Sequence, residues 1–204
     1  MRADELPTTF PPRFELEVAN ELSWLLRAER AGVNVTPMTV VPPAVESAFY
    51  RLNNLPERFE RLFEGVAGDD PDEDDLEEHV GEARALVLEH ALLDEVVDSL
   101  YESLAASPER VAVRPAGEAG VAADRGRGAL LAIKRAWADE WELEKLLARL
   151  RAGRGLLPSA RAFLLHDAAI DKAAEELPFG PDGTSAYAWY DGLGRLARLE
   201  LAVV

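Results

Sequence analysis

The sequence predicts a mainly α fold: a helical bundle with a small β-hairpin or extended excursion near residues 110–123. Three observations carry that expectation. Apolar residues recur at steps of three and four in several long runs, the spacing of one buried helix stripe. Hydrophobic residues make up 48% of the 204, enough apolar material for a packed core. One stretch, 110–123, departs from the helical spacing and reads as two short extended runs around a turn at Pro115–Gly117.

The elements follow in order. Residues 1–12 form a polar, Pro-containing lead-in ending at Pro11-Pro12. From Arg13 to Arg30, Phe14, Val18, Leu22, Leu25 and Leu26 recur at helical spacing, and Gly32 stops the run. The alternation Phe14-Leu16-Val18 suits a short strand equally well. Val33 to Val41 is β-branched and interrupted by Pro37, which fits an extended edge segment. Pro42-Pro43 opens a helix to about Leu52, and Asn53–Pro56 is a turn with Pro56 placed to start the next helix. That helix would bury Phe59, Leu62, Phe63 and Val66. Residues 67–75 read as an acidic linker, whose last carboxylates favour the N-terminus of the helix behind them. A single helix is expected from about Leu76 to Ala105, with Leu76, His79, Ala83, Leu86, His90, Leu93, Val97, Leu100 and Leu104 on one seam. Another long helix begins near Gly128, its seam running from Ala129 to Leu150 and interrupted by Glu140. Ser159 would cap a helix to Leu177 carrying Phe163, His166, Ile170 and Ala173, and Thr184 or Ser185 would start a last one. The organisation expected is an N-terminal helical segment (1–66) with a helix-turn-helix-like pair, the linker (67–75), and a main bundle (76–204), or one domain throughout.

Composition narrows the function classes. There is no cysteine, which removes disulfides, thiolate metal sites and Cys nucleophiles together. No run approaches the roughly 18 apolar residues that a membrane span needs, and the N-terminus lacks an apolar signal region, so a cytoplasmic protein is expected. The net charge is −16 and uneven. Residues 1–109 carry 8 Arg against 25 Asp and Glu, while 110–204 are nearly balanced. An acidic half repels nucleic acid and anionic lipid. The helix pair at 43–66 sets Arg58 and Arg61 among Glu57, Glu60 and Glu64, a poor surface for DNA.

Four constellations are candidates for function. His79, His90 and His166 all fall on apolar seams, as satisfied core histidines or, with Glu140, as a site inside a bundle. His79 and His90, 11 residues apart on one helix, would lie about 16 Å from each other, too far to share an ion. No metal and no cofactor is expected. The basic run Lys145, Arg149, Arg151, Arg154 and Arg161 has no acidic residue between 145 and 166. It could contact an acidic surface, such as the 69–78 segment of another copy, or pair with Glu140, Glu142 and Glu144 along its own helix. Phe179, Tyr187, Trp189 and Tyr190 cluster near the C-terminus as possible interface anchors or as the docking face of a last helix. Arg161, followed after four residues by His166, resembles the Arg-x(4–6)-His signature of HEPN-domain ribonucleases. That resemblance implies an all-helical, metal-independent endoribonuclease in which Arg161 stabilises the cyclising phosphate and His166 assists proton transfer. Ala162 departs from the family's usual Asn, Asp or His after the Arg, and Arg84 with His90, five residues between them, matches the same signature. The leading expectation is a non-enzymatic interaction, assembly or regulatory protein whose partner is itself or another protein. The ribonuclease is the alternative.

Overall fold

The computed structural model describes residues 21–66, 73–168, 175–178 and 185–201. The mainly α expectation is overturned: the fold is mixed α/β. The described elements are α1 (Glu21–Arg30), β1 (Met38–Val41), α2 (Pro43–Leu52), α3 (Leu55–Leu62), α4 (Glu73–Glu89), α5 (Asp94–Leu104), β2 (Arg110–Pro115), β3 (Val121–Asp124), α6 (Arg127–Asp139), α7 (Leu143–Arg151), β4 (Phe163–Asp167), β5 (Glu175–Pro178), β6 (Ser185–Tyr190) and β7 (Leu196–Leu201). Among the described residues no helix is long and apolar enough to cross a membrane. The chain divides into two compact units that interleave in sequence: residues 1–42, 100–129 and 161–204 form the first, 43–99 and 130–160 the second.

The first unit holds two antiparallel sheets, one ordered β1-β4-β2-β3 and one ordered β5-β6-β7. The expected helix from Ser159 is here the strand β4, paired with β1 on one side and β2 on the other. Phe163, Leu164, Leu165 and His166 are all buried. A short apolar run covered on both faces satisfies helical spacing by accident, since periodicity alone cannot separate a central strand from a buried helix. The expected last helix is likewise the strand β6, where the alternation Tyr187-Ala188-Trp189 leaves Ala188 buried and Tyr187 exposed. The hairpin expected at 110–123 is present as β2 and β3, and the extended segment before Pro42 is the edge strand β1. Helix α1 lays Leu22, Leu25 and Ala28 on Leu164, Ala188, Leu196 and Leu199, a core drawn from both sheets. The start of the expected helix at Arg13, with Phe14 and Val18, lies outside the described residues.

The second unit is helical. Trp137 and Trp141 are almost wholly buried, and they pack against Phe49 at 5.2 Å and Phe59 at 4.0 Å between ring centres. The Trp141 indole donates to the Tyr50 hydroxyl at 3.0 Å. Burial, with the Glu46 carboxylate second, raises that phenol's pKa well above its usual range. The single helix expected over 76–105 is two, α4 and α5, broken at residues 90–93. The imidazole Nδ1 of His90 turns back and donates to the Leu86 carbonyl at 2.7 Å. The Lys134 ammonium donates to the Leu88 and His90 carbonyls at 2.7 and 2.5 Å. A helix C-terminus offers unpaired carbonyls, and these side chains take them up. The seam spacing runs on through the break, so the sequence pattern did not reveal it. The long helix expected from Gly128 is also two, α6 and α7, parted at Glu140–Glu142.

Candidate functional site

Among the described residues, the first unit holds a buried polar cluster that was not expected from the sequence. Arg114, on β2, is 1% exposed. Its guanidinium meets the Glu21 carboxylate in a two-pronged pair at 2.5 and 2.8 Å, the geometry a planar guanidinium favours. The same carboxylate accepts from the backbone amides of Gly117 at 2.6 Å and Leu199 at 3.0 Å. Gly117 has φ of 84°, a left-handed turn conformation that glycine adopts without strain. Arg114 further donates to the Ala197 carbonyl at 3.0 Å and, through Nε, to Nε2 of His166 at 3.1 Å. His166 Nδ1 lies 2.8 Å from the Asp167 carbonyl. A nitrogen beside a carbonyl must donate and one beside a guanidinium must accept, so the ring is the neutral Nδ1–H tautomer. Burial first, and the Arg114 charge second, lower its pKa below the usual histidine range. Each of these groups is occupied by its neighbours, and the cluster joins α1, β2, β4 and β7.

A second buried carboxylate, Asp191, organises the turn between β6 and β7. It is 3% exposed. Its oxygens accept from the Leu193 and Arg195 amides at 2.9 Å each, from the Arg195 guanidinium at 2.6 Å and from the Thr36 hydroxyl at 2.9 Å. Burial by itself would raise its pKa; the hydrogen bonds from Arg195, Thr36 and Leu193 outweigh that and hold it below the usual value. At the tip of this fixed turn Leu193 is 78% exposed. The signal for the turn was present as Asp191-Gly192-Leu193-Gly194, a turn-forming run, but those glycines read equally as a weakened helix.

The residues expected from the sequence are placed as follows. Arg161 lies just before β4 and pairs with Glu118 at 2.6 Å. Five residues of near-extended chain separate it from His166 by roughly 16 Å, and His166 is engaged with Arg114 instead. The structure does not bring the two together, and they sit on a loop and a strand, not on a helix. Lys145 reaches Glu140 at 3.5 Å and Glu142 at 3.6 Å. Arg149 is nearly buried, donating to the Glu140 and Leu156 carbonyls at 2.6 and 3.3 Å over the Trp141 ring. Arg151 pairs with Glu73 at 2.8 Å, so the acidic segment looked for in another copy supplies its partner within the chain. Arg154 is exposed beyond α7. Phe179 lies outside the described residues. Tyr187 and Trp189 share the outer face of β6, 6.4 Å apart. From β7, Arg198 stacks over Trp189 at 4.3 Å and pairs with Glu200 at 2.6 Å. Tyr190 instead packs against the core.

His79 donates through Nδ1 to the Asp75 carbonyl at 2.6 Å and lies 5.9 Å from the Phe63 ring. Among the described residues no three His, Asp or Glu side chains converge as a metal site would require. A cavity of about 200 Å³ in the second unit is lined mainly by apolar atoms, with Glu46, Ser47, Tyr50 and Leu157 in its wall. Compared with known protein families and with curated proteins, the chain matches none.

Proposed function

We propose that this is a non-enzymatic interaction or assembly protein of the cytoplasm, working through the β6–β7 face and its turn. One observation carries the reading. A buried aspartate fixes the Asp191–Arg195 turn, and that turn presents Leu193 to solvent at 78% exposure. Turn tips favour polar residues and glycine, and a large apolar side chain this exposed buries little within the described chain. With the backbone of the turn held before binding, less entropy is lost when a partner's pocket takes the side chain up. Tyr187 and Trp189, with Arg198 stacked on the indole, lie on the strands that lead into this turn. Aromatic and Arg side chains are the usual anchors of such surfaces. The ribonuclease alternative has no comparable support, because Arg161 and His166 are each engaged elsewhere.

The test compares affinity-purified wild-type chain with Leu193→Ser and Trp189→Ala, expressed in the native cell, and identifies the co-purifying proteins. A partner recovered in stoichiometric amount with wild type should be lost from Leu193→Ser, while that variant's melting temperature stays within a degree or two of wild type. A partner retained equally by both variants would move the interface to another face. RNA cleavage by the purified wild type, lost in Arg161→Ala, would return the enzyme reading.

A further inference from the structure

We propose that the cavity of the second unit binds a small apolar carboxylate, one ring or a short branched chain bearing a single acid group. Its volume is about 200 Å³. An apolar cavity of about 150 Å³ takes up benzene, so one ring with one substituent is the size that fits. The lining is of two kinds. Pro56, at the start of α3, and Leu157, Pro158 and Ala160, beyond α7, are its apolar part. The polar part comes from α2, where residues 46, 47, 50 and 51 recur at the spacing of one helix face and all line the cavity. A ligand gains by burying carbon against the prolines and Leu157, and needs a polar group that matches α2.

The charges on α2 decide which group that is. Glu46 is 2% exposed, and its charge acts on the Tyr50 phenol, to which Trp141 also donates. That carboxylate is engaged within the chain. Arg51, by contrast, is exposed and makes no ion pair among the described residues, whereas Lys145, Arg149 and Arg151 on α7 each have a carboxylate partner. A guanidinium at an apolar wall favours a carboxylate, which it can meet with two parallel hydrogen bonds. The Ser47 hydroxyl, one turn earlier on α2, adds a donor. The start of α3 favours the same charge: Asn54 makes no side-chain cap there, so the positive pole of the helix is left uncovered. Glu57, the acid in that first turn, is exposed and does not line the cavity. The cavity shares no residue with the Leu193 turn, so either proposal can fail alone.

Isothermal titration calorimetry on the full chain reads the outcome, with benzoate, phenylacetate and isovalerate as probes and benzamide and benzylamine as size-matched controls. At about 0.1 M salt the screening length of about 10 Å limits the repulsion from the rest of this acidic chain. At least one of the three acids should bind one-to-one, and benzamide should bind at least tenfold more weakly than benzoate. Arg51→Gln should bring benzoate down to the affinity of benzamide, a loss of about tenfold or more. Ala160→Phe, which fills the cavity, should abolish binding of acid and amide alike. Both variants should keep the wild-type circular dichroism spectrum. No heat from any of the three acids at millimolar concentration overturns the proposal. So does acid binding that survives Ala160→Phe or is unchanged in Arg51→Gln, and a preference for benzylamine would assign the cavity to cations instead.

Discussion

Taking Arg114 and Glu21 out of water costs several kcal/mol per ion, and their attraction repays it only when every remaining donor and acceptor is met. Here the carboxylate receives four hydrogen bonds and the guanidinium also holds a carbonyl and an imidazole. His166 is the member of this cluster whose charged form its surroundings oppose. Its folded pKa is lowered, so the unfolded chain binds the proton more tightly. The stability carried by the neutral ring is therefore full above about pH 6.5 and is lost as pH falls from there through the folded value. Protonation also removes the lone pair that accepts from Arg114 and sets two cations side by side. Thermal unfolding between about pH 7.5 and about pH 5 should show a falling melting temperature, and His166→Gln, which keeps an acceptor but does not titrate, should flatten that limb. An equal slope in His166→Gln would assign the acid sensitivity to other groups.

The β2–β3 hairpin depends on two glycines for different reasons. Gly117 supplies the left-handed turn and its amide reaches Glu21. Gly120 has an ordinary backbone, but a Cβ there would run into the Arg114 Cβ and the Val113 carbonyl. Gly120→Ala should cost about 1–3 kcal/mol in urea unfolding, because the strain falls on the strand that carries the buried pair. A neutral substitution would mean that the turn relaxes freely. This hairpin was legible in the sequence, as were β1, α2 and the Pro56 helix start, because turn residues and β-branched runs act locally. The strands β4 and β6 were not. Phe163–His166 has helical spacing and no turn residue inside it, and what makes it a strand is the pairing with β1 and β2, supplied by residues about 50 and 125 positions earlier. Of the candidate residues, Tyr187 and Trp189 were legible as a cluster, whereas Glu21 and Arg114 become a site only through partners distant in sequence, and Asp191, most of whose donors lie within four residues, was hidden by glycines that read equally as a weakened helix.

Across the whole molecule the charge is −16, all of it carried by residues 1–109. Ion pairs such as Arg84 with Asp139, or Arg151 with Glu73, are partly or fully exposed and are individually worth about 0–1 kcal/mol. The net repulsion among the remaining carboxylates is the larger effect. Moderate salt should therefore raise the melting temperature at neutral pH, since the screening length shrinks from about 30 Å at 0.01 M to about 10 Å at 0.1 M. Calorimetry in dilute buffer with added sodium chloride measures this. A melting temperature that falls on adding salt would show that the exposed pairs outweigh the repulsion.

The hydrogen bond from the Leu199 amide to Glu21 spans 178 positions, and it sets an order on biosynthesis. A ribosome adding about 5–20 residues per second needs roughly ten to forty seconds to travel that distance. Until β7 is made, the Glu21 carboxylate lacks its Leu199 donor, and the apolar face of α1, with Leu22 and Leu25, lacks Leu196 and Leu199. The earliest described helix of the first unit is thus completed by the last described strand. A nascent chain stalled before residue 196 carries that uncovered face, which makes it a natural client for a chaperone at the exit tunnel and a target for quality control.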